Sequence, residues 1–489
     1  MKTLRSAVLP SFAFLLLAAC NSSSSLPQPI ATPLHPIQHV VILLQENRSF
    51  NNLFRGFPGA DTASSGKCQR TQYATWCPPS GTVPIKPYRL EGNGTLGAEN
   101  DIAHDHEAFE KECDPNSSGV CQMDGFDLIT KGEGSGSGPP ARLRPYSYIE
   151  RSETKPYWDF AGEYALADRM FFTATASSFV AHQQIIAGTT QISPTESLTN
   201  QPNTQPWGCD AFGAERGRDQ QVYTPVIDIH GKVSPLGPFP CFTQYSTMAD
   251  LLDAKRVSWK YYVPALTGKY ADFAGAVWNG FDAIKRVACV KRTNLGSGVY
   301  QCTRGNDWSH INSPNTRIFD DLRGGRLPAV SWVIPKLCES DHPASGANRG
   351  PRWVTSVVNA IGESKYWSST AVIVLWDDWG GWYDNLPPPQ INYTSLGFRV
   401  GMIVISPYAK PHSVSHTQYD FGSVLKFVED TFGLGSLGTS DAPANSMDDM
   451  FNFTQKRNVF RPVALPHVKP CPKFESNDEI IKADGGVPE

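Results

Sequence analysis

Two stretches of the chain are apolar at every position and rich in β-branched residues: Val40-Val41-Ile42-Leu43-Leu44 and Ala371-Val372-Ile373-Val374-Leu375-Trp376. Unbroken rather than alternating hydrophobicity belongs to strands buried on both faces, as in a parallel sheet covered by helices. Residues 258–263, 329–334 and 400–406 predict further strands, with 170–175 a shorter one. Helical spacing predicts helices over 158–169, 181–188, 246–254, 315–323, 354–361 and 422–432. Strands alternating with helices give an α/β fold with a central, mostly parallel sheet.

Both apolar runs end in hard oxygen donors. The first enters Gln45-Glu46-Asn47-Arg48-Ser49-Phe50, and the second Asp377-Asp378-Trp379-Gly380-Gly381-Trp382. The carboxyl ends of such strands line the ligand crevice of open α/β sheets. Adjacent acids there repel unless a cation neutralises them. Glu46, Asn47, Asp377 and Asp378 are therefore candidate ligands of one shared divalent metal, with donors that suit Ca, Mg, Mn, Fe or Zn. Read singly, Glu46 could cap a helix starting near Ser49, and Asp377-Asp378 could be a solvated turn. The repetition after matching strands favours the metal.

The 489 residues carry a net charge of −4 and no basic run, so neither nucleic acid nor an acidic membrane surface is signalled as a partner. Residues 1–20 have a basic start and a short apolar core ending Leu17-Ala18-Ala19-Cys20, the pattern of an export signal. That ending resembles the lipobox of bacterial lipoproteins. It implies a lipidated Cys20, attachment to the cell envelope through it, and a Ser- and Pro-rich tether over 21–36. The alternative is an ordinary cleaved signal and a secreted protein. Ten further cysteines are an even number suited to disulfides outside the cytosol, and Cys68 with Cys77 and Cys113 with Cys121 are spaced to staple local loops.

Gly- and Pro-rich sequence over about 56–145 reads as loop-built cover for an active site, and polar, turn-rich sequence over 191–241 as an insertion. Ser178 falls at a strand-to-helix junction, where free backbone N–H groups and the positive end of a helix favour a phosphate. Ser177 is its competitor.

Five ordered motifs carry a resemblance: Gln45–Phe50, Met123-Asp124-Gly125-Phe126, Ser340-Asp341-His342-Pro343, Trp376–Asp384 and Ser415-His416-Thr417-Gln418-Tyr419-Asp420. Together they resemble the bacterial phosphoesterase family that contains non-haemolytic phospholipases C and acid phosphatases. The resemblance spans roughly His39 to Leu434, within a catalytic domain over 37–436, and the remaining 437–489 would form a tail packed on that domain. It implies an alkaline-phosphatase-like three-layer sandwich. It also implies metal ligands at Glu46, Asn47, Asp377 and Asp378, a nucleophile at Ser178, and phosphate-side histidines at His104 and His342. The spacing of His104 and His106 does not by itself choose between them, and His106 stays a candidate for substrate binding. Relatives carry another histidine where Ala283-Ile284-Lys285-Arg286 places Arg286, which could bind phosphate oxygens but not act as a general acid.

The expected function is thus metal-dependent hydrolysis of phosphate monoesters, of the acid phosphatase type, through a phosphoserine intermediate. Phospholipase C is the runner-up, since relatives of that kind often have a long carboxyl-terminal extension. A non-catalytic surface protein is a third reading, disfavoured by the complete set of candidate ligands and Ser178.

Overall fold

The computed structural model describes residues 36–69, 76–88, 101–129, 141–211, 222–265, 272–296, 299–343, 349–389, 396–468 and 470–471. The export signal, Cys20 and nearly all of the tether lie outside these residues.

The apolar runs pair as the core of an eight-stranded sheet. In chain order its strands are β1 (His39–Gln45), β2 (Ala165–Ala167), β3 (Trp259–Tyr262), β4 (Ile311–Asn312), β5 (Val330–Val333), β6 (Thr370–Trp376), β7 (Met402–Ile405) and β8 (Ser413–Ser415). Their spatial order is β4-β3-β5-β1-β6-β7-β2-β8. β1 runs parallel to β6 in unbroken register from His39 opposite Thr370 to Gln45 opposite Trp376, and parallel to β5 on its other edge. Only β7 is reversed, antiparallel to both β6 and β2. Every residue of β6, and all of β1 after His39, is buried. Each such side chain contributes about 1.5–3 kcal/mol, which is why these runs take the centre of the sheet.

The helices used below are α1 (Phe50–Phe54), α2 (His106–Cys113), α3 (Lys155–Glu163), α4 (Ser178–Ala187), α5 (Met248–Lys255), α6 (Arg317–Arg323), α7 (Gly350–Gly362) and α8 (Phe421–Phe432). α5 to α8 and strands β3, β5 and β7 fall where the apolar pattern predicts them. The predicted helix over 158–169 does not run through: α3 stops at Glu163 and Ala165–Ala167 become β2. Those residues have helical propensity, but they are fully buried between β7 and β8, so sheet pairing overrides it. The predicted strand over 170–175 shrinks to single bridges at Met170 and Phe171. Residues 191–241, expected to be an irregular insertion, include a four-stranded antiparallel sheet of short strands.

Ten cysteines form five disulfides: Cys68–Cys77, Cys113–Cys121, Cys209–Cys241, Cys289–Cys302 and Cys338–Cys471. Residues 437–468 return over the domain. Asn359 Nδ2 donates to the Val463 carbonyl, Trp367 Nε1 to that of Asn458, and Arg352 Nη1 to that of Pro466.

A buried ion pair ties the loop that ends at Asp384 to the segment that leads into β7. Arg399 Nε donates to Asp384 Oδ1 at 2.7 Å with neither side chain exposed. The same guanidinium donates to the carbonyls of Asp168 and Asp61, while Asp384 Oδ2 accepts from the Asn51 backbone. Asp384→Ala leaves Arg399 charged in the interior and should cost about 3–5 kcal/mol, read as a lower urea midpoint. The double variant Asp384→Leu/Arg399→Met should lose much less.

Candidate active site

The register between β1 and β6 brings their carboxyl ends together. Glu46 and Asn47 follow one strand and Asp377 and Asp378 the other, and all four are buried. The Asn47 backbone N–H donates to Asp377 Oδ1 at 2.8 Å. Asn47 sits at φ 53°, and the turn opposite it requires glycine: at Gly380, with φ 59°, a Cβ would lie 2.3 Å from the Asn47 carbonyl oxygen. Gly380 N–H in turn donates to Asp378 Oδ1.

Ser178 begins α4. Its Oγ donates to Asp378 Oδ2 at 3.0 Å and lies 3.5 Å from Asn47 Nδ2. Ser177 turns away and donates to Gln201 Oε1. One helical turn beyond Ser178, on the same face, His182 Nε2 lies 3.1 Å from Glu46 Oε1. Sequence analysis passed over His182. Its signal was the four-residue spacing from Ser178.

Donor atoms of Glu46, His182 and Asp377 all lie within 4.8 Å of one another. Asn47 Oδ1 and Asp377 Oδ2 are buried without a hydrogen-bond partner among the described residues. Leaving such an atom unsatisfied costs about 1–3 kcal/mol, more where it carries charge. A divalent cation relieves that cost, and mixed carboxylate, amide and imidazole donors suit one. The cluster fits a metal, with His182 a candidate ligand beside the expected residues.

The segment 101–113 lies across the site. His104 Nδ1 lies 2.6 Å from the Ile102 carbonyl, which fixes the proton there and leaves Nε2 to accept from Asn47 Nδ2 at 2.6 Å. His342 uses its Nδ1 against the Pro343 carbonyl, and its ring lies 6.3 Å from that of His104. Behind them, Trp379 Nε1 donates to Glu112 Oε2 at 2.6 Å. Burial pushes the Glu112 carboxyl well above its ordinary range, opposed by that hydrogen bond. Its neutral form avoids adding another negative charge beside Asp378.

Two expected residues have other surroundings. His106 is buried, with Nδ1 2.8 Å from the Thr175 carbonyl and 3.0 Å from Thr175 Oγ1. Through Nδ1 it braces the segment leading to Ser178. Arg286 stands among Asp250, Asp253 and Asp307. Three carboxylates neutralise it where it stands.

Asp341 supports the site from below. Its Oδ2 accepts from Tyr157 and from Trp376 Nε1, and the Arg48 side chain donates to its carbonyl. Burial, offset in part by Arg48 and these hydrogen bonds, pushes its carboxyl up to about 6. Asp341 Oδ1 and Gln45 Oε1 face the same space above Gly350, and neither has a partner among the described residues.

The chain is similar to several known proteins. Residues 37–435 match the model of the Phosphoesterase family. Phospholipase C B of Mycobacterium tuberculosis is 28% identical over 91% of this chain and 84% of its own. Phospholipase C A of the same organism is 26% identical over 94% and 86%, and hemolytic phospholipase C of Pseudomonas aeruginosa 26% over 86% and 56%. A solved protein of the alkaline phosphatase superfamily from Vibrio parahaemolyticus is 13% identical, with a TM-score of 0.31 over 60% of this chain and 65% of its own.

A folded carboxyl value of about 6, above the ordinary 3.8, means that the folded protein holds the Asp341 proton more tightly than the unfolded chain does. The stability this gives is complete below about pH 4 and is lost as pH rises through about 6. Asp341→Asn keeps an acceptor for Tyr157 and Trp376 and offers a donor to Gln45 Oε1. It should flatten the urea midpoint across that window and raise stability above it by on the order of 3 kcal/mol.

Proposed function

We propose, on the premise that the chain belongs to the Phosphoesterase family, that it is a phospholipase C acting through a covalent intermediate on Ser178. It is a hydrolase of phosphoric ester bonds. The observation that carries the nucleophile is the Ser178 hydroxyl, held 3.0 Å from Asp378 at the start of α4 beside Glu46, His182 and Asp377. The lipid substrate is supported by the relatives, whose likeness covers the greater part of this chain.

A divalent ion held by Glu46, Asn47 and Asp377, with His182 in the place expected of Asp378, whose oxygens accept from Ser178 and Gly380, would stabilise the serine alkoxide and draw charge from the phosphoryl oxygens. Asp378 orients the Ser178 hydroxyl. As Ser178 Oγ bonds to phosphorus it passes its proton to Asp378 Oδ2, and the bond from phosphorus to the glycerol oxygen breaks. That oxygen takes a proton from the imidazolium form of His104 or His342, whose Nδ1 atoms are held by backbone carbonyls so that Nε2 is the transferring atom. Water then attacks phosphorus and gives its proton to the same histidine, while Ser178 Oγ leaves with the proton returned by Asp378 and the phosphorylated head group is freed. We also read residues 1–20 as an export signal with Cys20 as a lipid anchor; five disulfides support an oxidising compartment.

Ser178→Ala should lower turnover of a short-chain phosphatidylcholine at least about a thousandfold while leaving the circular dichroism unchanged. Ser177→Ala should have a much smaller effect. Release of phosphocholine, lost on chelation and regained on adding metal, supports the lipid reading. Cleavage of an aryl phosphate monoester alone returns the assignment to an acid phosphatase. Full activity in Ser178→Ala would sink the covalent mechanism.

A further inference from the structure

We propose that two disulfide-stiffened hairpins, Val226–Asp228 with Val233–Ser234 and Lys291–Gly296 with Val299–Thr303, form the surface by which this enzyme settles on an anionic lipid bilayer. The inference rests on the phospholipase reading above.

Nine large apolar side chains are exposed among the described residues, and five belong to these hairpins and their flanks: Ile229, Val233, Leu236, Val290 and Leu295. Leu236 is 68% exposed and Leu295 61%, far beyond a core side chain at the edge of its packing. On the first hairpin Val226 and Ile227 are buried, so the exposed residues are surplus to its packing.

The hairpins belong to one unit. The Arg292 guanidinium lies 4.0 Å from the centroid of the Phe239 ring and donates to the Ala211 carbonyl. Cys209 and Cys289, from separate disulfides, share one buried cluster with Ala288. This unit also grips the helix that carries Ser178: Gln201 accepts from Ser177, and Trp207 packs edge-on against Phe179.

Charge favours an anionic surface. Residues 226–241 and 285–296 hold five basic residues, Lys232, Lys285, Arg286, Lys291 and Arg292, against the single acid Asp228, in a chain whose net charge is −4. Asp228 is occupied by the backbone N–H groups of His230 and Lys232, and Arg286 by its three carboxylates. Lys232, Lys285 and Lys291 remain exposed. Separate apolar points flanked by lysines suit a headgroup interface, where the apolar tips enter the acyl boundary and the ammonium groups meet lipid phosphates.

The test uses the disulfide-bonded protein and the variant Leu236→Ser/Leu295→Ser. Both changes are on exposed side chains outside the catalytic cluster. Flotation with phosphatidylglycerol–phosphatidylcholine vesicles should show vesicle partition reduced at least about tenfold in the variant. Wild-type binding should weaken in about 0.5 M salt and on pure phosphatidylcholine vesicles. Turnover of a short-chain phosphatidylcholine below its micelle concentration should be unchanged in the variant, while hydrolysis of vesicle lipid falls.

Equal vesicle binding by variant and wild type would overturn the proposal, as would absence of wild-type binding. So would a change confined to oligomeric state in light scattering, which would make the patch a contact between copies. No wild-type hydrolysis of the short-chain lipid would instead refute the phospholipase reading, while flotation still reports on docking.

Discussion

The parallel register of β1 against β6 is the constraint on which the rest of the structure depends. Side chains alternate faces along a strand, so a slip of one residue would turn every side chain of the slipped strand toward the opposite layer of the core. It would also separate Asn47 from Asp377 and undo the approach of Gly380 to the Asn47 carbonyl. Seven consecutive pairs, with almost every participating side chain buried, hold that register. The apolar strands thus do two jobs at once: they supply the core and set the positions of buried carboxylates that would otherwise repel.

Those carboxylates require a distribution of charge around the site. Arg399 neutralises Asp384, Glu112 is driven toward its neutral form by burial, and Asp341 is shared by Arg48, Tyr157 and Trp376. What remains is a negative cluster at Glu46, Asp377 and Asp378, with unsatisfied oxygens on Asn47 and Asp377. Each neighbouring acid that is paired or neutral leaves more of the local field available to a cation. The helix start at Ser178 then presents a hydroxyl to the same cluster.

Much of the architecture was legible because it rests on burial. Runs such as 40–44 and 371–376 have no solvent-facing side, so their hydrophobicity is continuous and their place in the sheet follows. β2 was not legible: Ala165-Leu166-Ala167 prefers a helix locally, and its pairing partner lies more than two hundred residues away. At the site, the strand-end acids announced themselves by repetition. His182 did not, because one histidine in an apolar helix carries no pattern until Ser178 is placed one turn before it. The surroundings of Arg286 were hidden for another reason, since its three acidic partners come from Asp250 and Asp253 in α5 and from Asp307 on the other side of it in the chain.

The disulfides mark where burial gives out. None joins two strands of the main sheet, whose packing needs no such support; all five lie in connecting segments or the returning tail. Cys113–Cys121 closes the chain immediately after α2, which follows His104 and carries His106 and Glu112. Cys338–Cys471 fixes the turn before Asp341 and His342 to the tail. A loop with little apolar surface loses substantial conformational entropy when ordered, and cross-links lower that cost by restricting the unfolded chain. The groups proposed to move protons and to meet lipid therefore sit on segments held by covalent bonds, around a carboxylate cluster held by the sheet.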